Sequence, residues 1–129
     1  MVEEGLEMKR AAILAMALLL LGCAGSPTAE ETATADYGAM ASAVEYKSQI
    51  ENYFNSNLKD PASIQYKSIS PPRKGYVRIA NDWVGSSTVY GYMVDATINA
   101  KNSYGGYTGF KTYSFLFRDG KLVDVKRGF

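Results

Sequence analysis

The chain has 129 residues, with 14 Lys and Arg against 13 Asp and Glu, no His and a single Cys. A formal charge of +1 makes it neither polybasic nor polyacidic, so the overall balance gives no reason to expect a nucleic-acid partner. Without His the commonest general base and metal ligand is missing, and one Cys excludes a disulfide within the chain.

The first element is a targeting pattern. Lys9 and Arg10 form a basic pair, residues 11–21 are uninterruptedly apolar, and Gly22 and Cys23 follow. As a helix that run would rise about 16 Å, short of the ~30 Å of a hydrocarbon core, so it reads as the apolar region of a signal peptide rather than a membrane span. Leu20 three places before Cys23, Gly22 directly before it, and the short apolar run resemble the signal of bacterial lipoproteins. The resemblance implies that residues 1–22 are removed. Cys23 would then carry a thioether-linked lipid and an amide-linked acyl chain of the palmitate kind, enough for stable anchoring. In that family Asp after the lipidated Cys favours the inner membrane. Ala24 stands there, which implies the outer membrane, with the domain on its periplasmic or its outer side. Glu3, Glu4 and Glu7 depart from the pattern, and a start at Met8 would remove them; both starts stay open. An ordinary secretory signal with a chance cysteine is the plainer alternative.

Residues 23–41 are expected to be the lipidated Cys and a flexible tether. Gly, Ser, Pro, Thr and Ala dominate the stretch, with Glu30, Glu31 and Asp36 its only charges. Such a composition buries too little surface to repay ordering. Residues 42–129 are expected to form one small α+β domain, since about 90 residues support a single modest core. The domain holds twelve Lys and Arg against seven Asp and Glu, a charge of +5. That bias is compatible with anionic surfaces and also with an ordinary soluble surface.

A helix is predicted over residues 42–59. Ser42 and Glu45 have capping-box spacing, Tyr46, Ile50, Tyr53, Phe54 and Leu58 form one apolar stripe, and Pro61 stops the helix. Everything after Pro61 reads as β. Strands are predicted over 64–70, 75–80, 89–101, 107–118 and 121–127. In the third, Tyr90, Tyr92, Val94, Ala96, Ile98 and Ala100 share one face. Residues 85–87 read as part of a loop around Trp83, and Asp119-Gly120 as a two-residue hairpin. The expected architecture is an N-terminal helix packed on an antiparallel meander of four to five strands. Tyr113-Ser-Phe-Leu-Phe117 is aggregation-prone if exposed, so it should be paired on both sides. Leu58-Lys-Asp-Pro-Ala-Ser63 followed by the Asn99–Gly109 string resembles a small domain of uncharacterised bacterial envelope and phage-associated proteins. That likeness spans most of residues 46–118 and implies a shared fold, with no activity and no catalytic residues.

No catalytic residue, metal or cofactor is expected. The acids show no ligand spacing, and no glycine-rich phosphate loop opens a helix. The best candidate for recognition is the 99–111 hairpin. There Lys101, Asn102, Tyr104, Tyr107 and Lys111 gather around Gly105 and Gly106, and Tyr offers an apolar plate with a polar tip. The plainer reading is a well-made turn with cross-strand tyrosine pairs; the Trp83 loop is a second candidate. These features predict a non-catalytic envelope lipoprotein that binds protein partners. A binder of glycan or anionic polymer is the alternative, and a hydrolase inhibitor a third class.

Overall fold

The computed structural model describes residues 25–81 and 85–128. The signal segment, Cys23 and Trp83 lie outside the described residues. A short helix α1, Ala29–Thr34, is closed by its own capping box. The Glu31 N–H donates to Thr28 Oγ1, and the Thr28 N–H donates to Glu31 Oε2. A separate compact unit begins at Ala35.

That boundary corrects the expectation of a flexible tether through residue 41 with the domain starting at Ser42. Tyr37 is 9% exposed, and its ring lies 5.6 Å from that of Tyr90 and 6.4 Å from that of Tyr92. The Ala39 N–H donates to Asp119 Oδ1 at 2.8 Å, and the Ala41 N–H to the Tyr46 hydroxyl at 2.8 Å. The polar average of the stretch hid one tyrosine, and burying that ring with a few backbone hydrogen bonds holds the segment against the sheet.

Helix α2, Ala43–Asn57, starts as its sequence predicts. Ser42 and Glu45 make the reciprocal capping box. The Ser42 backbone N–H, then its hydroxyl, hold the Glu45 carboxyl below the ordinary carboxylate value. Tyr46, Ile50 and Phe54 are buried, and Tyr53 and Leu58 are partly buried against the same core. The Leu58 N–H closes the helix on the Phe54 carbonyl, and Pro61 opens a 3-10 turn, Pro61–Ser63.

The strands are β1, Gln65–Ile69; β2, Arg73–Asn81; β3, Gly85–Asn99; β4, Lys111–Arg118; and β5, Lys121–Arg127. All pairings are antiparallel. β1 and β2 both lie along one side of β3, with β4 and then β5 on its other side. In effect β1 and β2 are one long strand broken at Ser70-Pro71-Pro72. Proline cannot donate to a ladder, and Ser70 fills the gap: its N–H donates to the Asp95 carbonyl, and its hydroxyl accepts from the Asp95 N–H. The fold is therefore the expected α+β arrangement, one main helix on a five-stranded antiparallel meander. β4 is paired on both sides, as its aggregation-prone sequence requires.

The core lies between α2 and one face of the sheet. Val94, Ala96 and Ile98 of β3 and Tyr113, Phe115 and Phe117 of β4 meet the helix there. The Phe54 ring stands edge-on to Tyr113 at 5.1 Å and to Phe115 at 5.5 Å. Gln49 ties helix to hairpin. Its Nε2 donates to the Gly120 carbonyl, and its Oε1 accepts the Leu122 N–H at 3.1 Å. The hairpin is the predicted one, with Asp119 at φ 51 and Gly120 at φ 75, the paired positive angles of a type I′ turn.

Several strand limits shift by one or two residues from the sequence-based expectation, and two shift by four. β3 begins at Gly85, not Val89, because β2 pairs with it as far as Asn81↔Gly85. Ladder pairing overrides the loop-like composition of Gly85, Ser86 and Ser87. β4 begins at Lys111, not Tyr107. Residues 107–110 belong to the connection, where Gly109 takes a φ of 97°.

Candidate functional site

The 100–110 connection is anchored by Ser63, which the 3-10 turn places beneath it. The Lys101 N–H donates to Ser63 Oγ at 2.9 Å, and the Tyr107 hydroxyl donates to the Ser63 carbonyl at 3.0 Å. Asn102 builds the tip. Its Oδ1 accepts from the backbone N–H groups of Tyr104 and Gly106, while its own backbone bonds Gly105 and Gly106. Gly105 has a φ of 79°, a conformation glycine adopts without steric cost. Asn99 closes the base by accepting the Gly109 N–H at 3.1 Å. The amides that the sequence offered for recognition thus form the loop itself.

Under the loop lies a groove of about 390 Å³, within the ~300–1,000 Å³ usual for ligand sites. The end of α2 supplies Asn57, Leu58 and Lys59; the loop supplies Lys101, Asn102 and Thr108; β4 supplies Lys111 and Tyr113; β5 supplies Val125 and Arg127. Tyr53, Leu58, Ile98 and Val125 give it apolar walls, and its charged residues are Lys59, Lys101, Lys111 and Arg127, with no acid among the lining residues. Lys59, Lys111 and Arg127 are in none of the ion pairs of the described residues, and Lys101 lies 5.5 Å over the Tyr107 ring. The carbonyl end of α2 sits at the groove and offsets part of the positive charge. Four full charges exceed the ~0.5 charge of a helix terminus, so the concavity favours an anion.

Of the five predicted residues, Lys101, Asn102 and Lys111 line this groove. Tyr104 does not; it is 96% exposed at the loop tip. Tyr107 does not line it either, and its hydroxyl is committed to Ser63. Sequence reasoning missed Lys59 and Arg127. Lys59 looked like part of a helix stop and Arg127 like the end of a strand. Nothing local shows that the meander carries β5 back beside the end of α2.

The open face of the sheet carries a second polar cluster. Arg73 donates two hydrogen bonds to Asp95, at 2.8 and 3.2 Å, and the Ser114 hydroxyl donates to Asp95 Oδ1 at 2.6 Å. Partial burial pushes the Asp95 carboxyl up, but the Ser114 and Arg73 hydrogen bonds and the Arg73 charge outweigh it and hold the carboxyl below its ordinary value. This cluster cross-links β2, β3 and β4 and contributes no residue to the groove lining. Among the described residues no group of three or more Cys, Asp or Glu is gathered as metal ligands. No family model, no curated protein and no solved structure matches the chain.

Proposed function

We propose that the chain is a lipid-anchored envelope protein whose α+β domain binds an anionic partner beneath the 100–110 loop and catalyses no reaction. The observation that carries this reading is the convergence of Lys59, Lys101, Lys111 and Arg127 on one concavity without an acidic lining residue. Ammonium and guanidinium groups hold carboxylates or phosphates by charge-assisted hydrogen bonds. The groove lining offers no carboxylate, imidazole or thiol to act as base or nucleophile. The apolar walls suit an acidic peptide segment with aliphatic neighbours, so an envelope protein is the first partner class. Anchoring through acylated Cys23, with outer-membrane location, is the companion proposal and rests on the lipobox residues. It is checked by Cys23→Ser, which should release the protein from membranes or leave an unprocessed precursor.

An anionic glycan is the second reading. Tyr104, Tyr107 and Phe110 are 96%, 44% and 50% exposed on the same loop, and aromatic plates beside cations suit charged sugar rings. One titration separates the two. The full chain in neutral detergent is titrated with a Glu- and Leu-containing peptide and with oligogalacturonate. The double variant Lys101→Ala, Lys111→Ala should weaken the preferred probe at least about tenfold, equivalent to ~1.4 kcal/mol, and added salt should weaken wild-type binding. The melting temperature should hold. Binding unchanged by the double variant would refute the groove as the site.

A further inference from the structure

A second surface lies at the opposite end of β3, away from the groove. The Asp95 N–H and carbonyl both meet Ser70 on the β1–β2 side. Along an antiparallel strand that direction alternates, so the even residues of β3 turn their backbone groups toward β4. β4 reaches only as far as Tyr92, its partner being Phe117. Just beyond, the Tyr90 carbonyl is taken by Arg118 at 3.0 Å. Further out, Ser86 and Thr88 turn an N–H and a carbonyl each toward an edge where the described residues supply no strand.

This edge differs from the other three in charge. The outer edges carry Lys67 on β1, Arg73, Lys74 and Arg78 on β2, and Lys121, Asp124, Lys126 and Arg127 on β5. Charges on edge strands are how native sheets block unwanted pairing. Gly85, Ser86, Ser87, Thr88 and Val89 carry no charge and no proline of their own, and Arg78 of β2, which reaches across to them, is held by a hydrogen bond to the Ser86 hydroxyl. The outer part of the β2–β3 ribbon is also two-stranded, an arrangement that is marginal in water by itself.

We infer that residues 85–89 pair antiparallel with the same residues of a second copy, joining two β2–β3 ribbons into one four-stranded sheet. A segment paired antiparallel with itself is two-fold symmetric by construction, as a homodimer interface requires. Any register in this segment sets only Gly, Ser, Thr and Val opposite one another, and Ser–Thr pairs across strands are favourable. The same self-pairing of β2 or β5 would bring like charges together. The contact is small, so the dimer belongs to the weak class. It is independent of what the groove binds.

The test is sedimentation equilibrium of the full chain in density-matched neutral detergent. Wild type should be dimeric at about 100 μM and dissociate on dilution toward micromolar concentrations. Thr88→Pro removes an N–H that faces outward and leaves the β2 ladder its donors; it should be monomeric with an unchanged β-sheet circular dichroism signal. Should proline disturb the ribbon, a charge exchange decides. Thr88→Lys and Thr88→Asp should each be monomeric, and an equimolar mixture should recover dimers. A wild-type chain that stays monomeric overturns the inference and leaves the edge to a strand of another protein. A dimer that persists in both Thr88→Lys and Thr88→Asp overturns it as well, since the contact would lie elsewhere.

Discussion

From residue 92 to 98, strand β3 lies between β4 on one side and β1–β2 on the other, with Val94, Ala96 and Ile98 buried under α2. From residue 85 to 91 its strand neighbour among the described residues is β2 alone, and burial fades outward until Gly85, Ser86 and Ser87 are exposed. One strand thus serves two tasks. The inner half is fixed by aromatic packing and cannot be read by a partner. The outer half contributes little to the core, and that is what leaves its edge open. The groove sits past the inner end of the strand, where Ile98 and Ala100 run into the loop, so the rigid half positions the groove.

The largest way to break this division is to empty the inner half. Phe54 is 0% exposed and meets β4 through two edge-on aromatic contacts. Phe54→Ala should cost about 3–5 kcal/mol, a large share of the ~5–15 kcal/mol that holds a domain together. Chemical denaturation monitored by tyrosine fluorescence reads the loss. An unchanged midpoint would mean that α2 does not hold the inner half.

The junction of the two halves gives the next effect. A Cβ on Gly91 would lie 2.2 Å from the Phe117 carbonyl oxygen and 3.4 Å from Leu116 Cδ1. Backbone cannot yield as a side-chain tip can, so Gly91→Ala must push β3 away from β4. The expected cost is about 1–3 kcal/mol. Hydrogen exchange would locate it: protection should fall at residues 92–94 and 115–117, with Ser86 and Thr88 exchanging as fast as before.

The inner half was legible in the sequence, and the outer half and the groove were not. Period-two alternation from Tyr90 to Ala100 and period-3.6 spacing from Tyr46 to Leu58 each record one buried face, and burial is what those patterns encode. The Ser42–Glu45 cap and the Asp119-Gly120 turn are local chemistry and came through for that reason. Gly85, Ser86 and Ser87 have the composition of a loop and become strand through partners four to eight places back along β2. Tyr37 sat in a polar stretch whose average concealed it. The groove joins residues from 53 to 127, brought together only by the meander. Lys101 and Lys111 were visible as a pair because they flank one loop, while Lys59 and Arg127 come from the two ends of the domain.

The smallest effect sharpens the comparison on the open face of the inner half, where polar bonds replace aromatic packing. Asp95 is held ionised by Ser114 and Arg73 against partial burial, so its carboxyl titrates below the ordinary value in the folded chain. A carboxyl whose value falls on folding binds fewer protons folded than unfolded. Its contribution is therefore complete above the unfolded value of about 3.9 and is lost as pH falls through the lower folded value. Arg73 is half exposed, with 52% of its side chain open to solvent, so screening limits the contribution to about 1 kcal/mol or less. Asp95→Asn keeps the shape, removes the charge, and should lower stability by that amount at neutral pH. Glu45 titrates in the same direction, so wild type alone cannot assign the acid loss. The decisive quantity is the difference between wild type and Asp95→Asn, measured by urea denaturation from pH 6 down to about pH 3. That difference should shrink as the pH falls. If it stayed constant, the Arg73–Asp95–Ser114 cluster would be holding the strands by shape rather than by charge.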